Sequence, residues 1–157
     1  MKKIAVIGVG NVLMKDEGVG VHSLKKLETL KLPDNVELYE GGTRILDILP
    51  SLEGVDLIII IDAVKFGKKP GTVNLFEVEL SKNGNSKEMV SLHEMDLISS
   101  IKFAKKIYDL PEKIIIVGIE PKEVDVGIEM TEEVTKAIPQ VIEKVHRTIK
   151  YYASSAN

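Results

Sequence analysis

Five apolar residues in a row, Leu57-Ile58-Ile59-Ile60-Ile61, with Asp62 directly after them, restrict the folds open to this chain more than any other feature. Successive side chains of a strand point to opposite faces. A strand with no polar position therefore has both faces covered, as happens in parallel sheets flanked by helices on each side. Residues 3–9 and 113–119 repeat the pattern. Residues 72–80 do not: Val73, Leu75, Phe76 and Val78 are set against Asn74, Glu77 and Glu79, the alternation of a strand with one wet face. Residues 36–39, after the turn Pro33-Asp34-Asn35, complete five candidate strands.

Helical spacing fills the gaps. Val21, Leu24, Leu27 and Leu30 mark residues 18–30, and Ile45, Ile48, Leu49 and Leu52 mark 44–52. Leu97, Ile98, Ile101, Ala104 and Tyr108 mark 94–108, where Ser91 and Glu94 have the spacing of a capping box. Val134, Ala137, Val141, Val145 and Ile149 mark 131–152, with Thr131 as its N-cap and Glu132 and Glu133 suited to the positive end of the dipole. Pro139 is expected to kink or split this last helix. The stretch from Asp62 to Thr72 is too short for a crossover between parallel strands, which takes about a dozen residues or more. Residues 72–80 should therefore run antiparallel, at an edge. The expected fold is α/β: a three-layer sandwich with a five-stranded, mostly parallel twisted sheet, one antiparallel edge strand and helices on both faces. One domain is expected over residues 1–152, with 153–157 a frayed tail and 81–87 a polar loop.

Composition narrows the function classes. The 157 residues include no cysteine, which excludes a disulfide framework, a thiolate metal site and a cysteine nucleophile. A net charge of −3 offers no basic field for nucleic acid. The apolar start after Met1-Lys2-Lys3 breaks at Gly8 and Gly10 and meets Asp16-Glu17 too soon for a signal peptide, and no apolar run is long enough to span a membrane. A cytoplasmic protein with neither nucleic-acid nor membrane partners is expected.

Chemistry could sit in three places. Gly8-Val9-Gly10, after the first strand, opens like a dinucleotide fingerprint, but Leu13 stands where its third glycine would fall, and Asp16 and Glu17 would repel a pyrophosphate. Asp62 closes the most buried strand, where ligands of α/β sheets bind, though an Asp there also suits a turn cap. His93 falls in the first turn of a helix, where the dipole favours a neutral imidazole. His93-Glu94 is not a zincin motif, because Leu97 replaces its second histidine. The topology can bring Glu17, Asp62 and His93 to one rim. Two oxygens and one imidazole nitrogen suit a divalent ion such as nickel or zinc, with positions left open for water or substrate. His22 and His146 read as boundary residues of the first and last helices.

These residues also carry a family likeness. The run Ile7-Gly8-Val9-Gly10-Asn11-Val12-Leu13-Met14-Lys15-Asp16-Glu17-Gly18-Val19-Gly20-Val21 resembles the opening signature of the hydrogenase maturation endopeptidases. Glu40-Gly41-Gly42-Thr43 is similar to that family's second motif, with Glu where Asp is usual. Ile60-Ile61-Asp62-Ala63, His93 and Gly118-Ile119-Glu120-Pro121 follow in the same order as the family's later motifs. The resemblance implies a twisted five-stranded sheet between helices and an endopeptidase. Its partner would be the precursor of a nickel–iron hydrogenase large subunit, which loses a short C-terminal extension after a basic residue. Nickel would be carried by the substrate and serve as the recognition element, contacted by Glu17, Asp62 and His93; other divalent ions could occupy the same positions. Catalytic carboxylates would be Asp16, Glu17 and Asp62, with Asp16 or another carboxylate free of metal taking a proton. No cofactor of the protein's own is expected, and a monomer is expected. Two other classes stay open on the residues alone: a nucleotide-binding regulatory domain, and a nickel chaperone without peptidase activity.

Overall fold

The computed structural model describes residues 2–81 and 92–154, and of residues 92–94 the backbone alone. The chain forms strands β1 (Ile4–Val9), β2 (Val36–Gly42), β3 (Leu57–Ala63), β4 (Val73–Glu79) and β5 (Lys113–Ile119). They make one sheet in the order β2-β1-β3-β5-β4. β1 pairs in parallel with β2 and β3, and β3 with β5; β4 runs antiparallel to β5 at the edge. The continuous apolar runs are the three central strands, and the alternating segment is the edge.

Helices α1 (Val19–Glu28), α2 (Ile45–Ile48), α3 (Leu92–Lys105) and α4 (Glu132–Ser154) cover the sheet. Alternate strand residues feed two separate cores. Ile7, Ile58, Ile60 and Ile116 pack with Leu49 and Leu52 beyond α2 and with Ile98 and Ile101 of α3. Val6, Ile59, Ile61 and Val117 pack with Leu24 and Leu27 of α1 and with Val134, Val141 and Val145 of α4. The pleat thus sorts neighbours in sequence into different layers.

Three local expectations are corrected. The stretch 44–52 is one α-helical turn, α2, followed by a 3-10 turn over Leu49–Leu52. Pro50 lacks the amide that would continue the α pattern. Of the two outcomes expected at Pro139, a kink or a split, the split does not occur: α4 runs as one helix from Glu132 to Ser154. The proline ring lies on the exposed face, where water can take the carbonyl that loses its partner. Leu30, expected on the buried stripe of the first helix, falls beyond α1 and is exposed. The segment between β1 and α1 contains a 3-10 turn over Lys15–Gly18. The side chains of the expected capping pair, Ser91 and Glu94, and residues 82–87 of the polar loop lie outside the described residues.

Candidate active site

Strand order reverses at β1, which has β2 on one side and β3 on the other. A crevice opens at the carboxyl ends of strands at such a point. Two glycines shape it. A Cβ on Gly20, in the first turn of α1, would stand 2.1 Å from the Ile61 carbonyl oxygen and 2.4 Å from that of Val9. Only a residue without a side chain lets α1 come this close to the ends of both strands. The close-packing glycine that a dinucleotide fingerprint places at position 13 is therefore supplied by Gly20, and Leu13 is exposed instead. Gly10 has φ +124°, and a Cβ on it would stand 2.0 Å from the Glu17 carbonyl oxygen and 3.6 Å from Asp62 Oδ1. Gly10 also donates its N–H to the Gly42 carbonyl at 2.8 Å, which ties the Gly-Gly segment of β2 to the same turn.

The Glu17 backbone and the Asp62 carboxylate therefore both lie against Gly10. Glu17 is half-buried and lines a cleft of about 540 Å³ together with Thr43, Arg44, Asp96, Leu97 and Ser100. Asp62, at the end of β3, is 1% exposed. On the far wall Arg44 pairs with Asp47 at 2.7 Å. Asp96, Leu97 and Ser100 belong to α3 and share one helical face by their spacing. His93 is in the same helix, four positions before Leu97; its side chain lies outside the described residues. Among the described residues, no three His, Cys, Asp or Glu side chains are grouped to hold an ion. Glu40, in β2, is exposed. Asp96 and Ser100 were not singled out by the sequence; their spacing from His93 was the available signal.

Asp16 occupies a different environment from the proton acceptor expected of it. It is fully buried. Its Oδ2 accepts the backbone N–H groups of Lys122 and Glu123, each at 2.9 Å. Its Oδ1 accepts the Thr131 N–H at 2.7 Å, and the Thr131 hydroxyl reaches both oxygens, at 3.0 and 2.8 Å. Burial acts to raise the pKa of this carboxyl, but the amides of Glu123, Thr131 and Lys122 and the Thr131 hydroxyl outweigh it and hold it below the usual carboxylate value. A carboxylate so satisfied is a poor base. Thr131 does occupy the position before α4, yet its hydroxyl turns to Asp16.

Glu120 works in a similar way on a neighbouring loop. Its Oε1 accepts the N–H groups of Phe66 at 2.9 Å and Lys68 at 3.0 Å, which fixes the connection from β3 to β4 where it crosses the end of β5. His22 is half-buried with its pKa lowered, by burial first and by Lys25 second. His146 is half-buried on α4.

The sequence model of a family described as hydrogenase maturation protease (HycI) matches residues 21–148. The hydrogenase expression/formation protein HupD of Rhodobacter capsulatus is 37% identical over 126 residues, covering 79% of this chain and 60% of that protein. The chain thus spans three fifths of the length of that relative. The hydrogenase 2 maturation protease of Escherichia coli K12 is 34% identical over 149 residues, covering 91% of this chain and 88% of that protein. Among solved structures, the hydrogenase maturating endopeptidase HybD from E. coli superposes with a TM-score of 0.81 at 29% identity, covering 96% of this chain and 93% of that one.

Proposed function

Since the chain belongs to the hydrogenase maturation protease family, whose members are endopeptidases, we propose that it removes the C-terminal extension of a nickel-loaded hydrogenase large-subunit precursor. The observation that carries this reading is that the Glu17 carbonyl and the Asp62 carboxylate both lie against Gly10, and that Glu17 lines a cleft shared with residues of α3. An open cleft of this size admits an extended segment of polypeptide. Glu17, Asp62 and His93 are assigned to contact the nickel that the substrate brings, so that only a loaded precursor is held in register.

Hydrolysis adds water across the scissile amide. The water oxygen bonds to the carbonyl carbon, the carbon–nitrogen bond breaks, and one water proton ends on the leaving amine. Asp16, engaged by four donors, is not assigned that proton. A carboxylate oxygen of Glu17 or Asp62 that is free of metal takes it from the water and returns it to the amine. The fold holds these acids in place before substrate arrives, because the glycine turn and the first turn of α1 fix their backbones. The reaction is placed in the cytoplasm, by a monomer. Among the described residues no helix is long and apolar enough to cross a membrane.

Mass spectrometry of the large subunit tests the reading. The wild-type protein should shorten the nickel-loaded precursor and leave the nickel-free one intact. Glu17→Gln, Asp62→Asn and His93→Ala should each slow processing by about a hundredfold or more while remaining folded. Near-normal processing by all three would remove the assignment of these side chains. Equal processing without nickel would remove the recognition step. An unshortened precursor, with nickel held tightly by the isolated protein, would mark a metal carrier rather than a peptidase.

A further inference from the structure

Residues 122–131 form a strap that is fastened to residues 13–16 at both ends and at its middle. At its two ends, the amides of Lys122 and Glu123 and the amide and hydroxyl of Thr131 donate to the one carboxylate of Asp16. At its middle, Gly127 donates its N–H to the Leu13 carbonyl at 2.9 Å and accepts from the Lys15 N–H at 2.9 Å. Asp16 returns a bond of its own, from its N–H to the Glu123 carbonyl at 3.1 Å. Lys15, at φ +46°, adds an ion pair to Glu123 at 2.7 Å.

The next residue is Glu17, on the cleft. Its N–H donates to the Met14 carbonyl at 3.1 Å, and its own carbonyl lies under Gly10. The backbone that presents Glu17 is thus gripped from one side by the strap and from the other by the glycine turn. A surface loop needs no fully buried carboxylate with four donors merely to stay folded, since water can satisfy its amides. A buried acceptor serving both mouths of a loop makes them one unit.

From this geometry we propose that Asp16 is a positioning residue: it locks the 122–131 strap onto residues 13–16 and thereby sets where Glu17 stands in the cleft. The proposal rests on the functional reading only in naming Glu17 as the group that benefits. Asp16 itself touches no substrate.

The test has two independent readouts on the full chain. Amide hydrogen exchange by NMR reports the lock. In Asp16→Asn the new NH₂ group meets N–H donors, so exchange at Lys122, Glu123 and Thr131 should quicken by tenfold or more while amides of β1, β3 and β5 keep their protection. Processing of nickel-loaded precursor reports the consequence for Glu17: kcat should fall by tenfold or more with KM changed by less than threefold. Thr131→Val should show a weaker version of both effects, and Thr131→Ser should restore both. Unchanged exchange at the three amides in Asp16→Asn overturns the lock. Faster exchange with wild-type kcat overturns the link to Glu17. If Asp16→Asn does not fold, the Thr131→Val and Thr131→Ser pair decides by the same criteria. Should the wild-type protein itself fail to process the precursor, the functional reading fails and the lock is judged on exchange alone.

Discussion

A methyl group at position 10 would stand 2.0 Å from the Glu17 carbonyl oxygen, on a backbone already at φ +124°. Gly10→Ala should therefore combine overpacking with conformational strain and lower stability by about 3 kcal/mol, read as a shift of the urea midpoint. Asp16 sets a second expectation. Its carboxyl is held below its ordinary value, so the stability it contributes is complete above about pH 4, the unfolded value, and is lost as pH falls through the folded value. The Tm gap between wild type and Asp16→Asn should accordingly narrow from pH 6 to pH 3; a constant gap would refute the ionised state. These two residues differ in how far the sequence announces them. Glycines after an apolar run advertise a tight turn, and Asp62 stands out against its strand. Asp16 carries no local sign of its job, because its donors lie 106 to 115 residues away. Nothing in a one-dimensional pattern separates a carboxylate that will be buried under amides from one that will face a substrate.

Among the elements, the strands were the most legible. An unbroken apolar run has one physical solution, coverage on both faces, and β1, β3 and β5 adopt it. The alternating run became the antiparallel edge for the same reason. Helix interiors were less transparent, because proline acts through its surroundings. Pro50 tightens the end of α2 into a 3-10 turn, whereas Pro139 sits on an exposed face within an uninterrupted α4. Pro139→Ala restores an intrahelical bond and should raise stability by up to about 3 kcal/mol in equilibrium unfolding. A loss of stability there would mean that the proline shapes the helix to its neighbours. The side-chain register of α1 was readable up to Leu27, but its first turn was not: Gly20 matters because of carbonyls from two strands, which only the assembled sheet brings to it.

For the whole molecule, the division of the core into two layers has an energetic counterpart. Ile59 and Ile60 are adjacent in sequence, yet one packs with α1 and α4 and the other with α2 and α3. Ile59→Val and Ile60→Val should each cost about 0.5–1.5 kcal/mol, and the double variant should equal their sum to within about 0.5 kcal/mol. A larger coupling, measured by denaturant unfolding, would show the sheet transmitting strain between its faces. The same assembly governs when the cleft exists at all. Glu17 and Asp62 become neighbours only after β1 has paired with β3 and Gly20 has seated α1 against both, and residues 13–16 are held by a strap that precedes the last helix. A nascent chain still emerging from the ribosome, or a copy that has come apart, lacks the arrangement needed to cut anything. Under the proposed function, completing the fold would itself be the activation step.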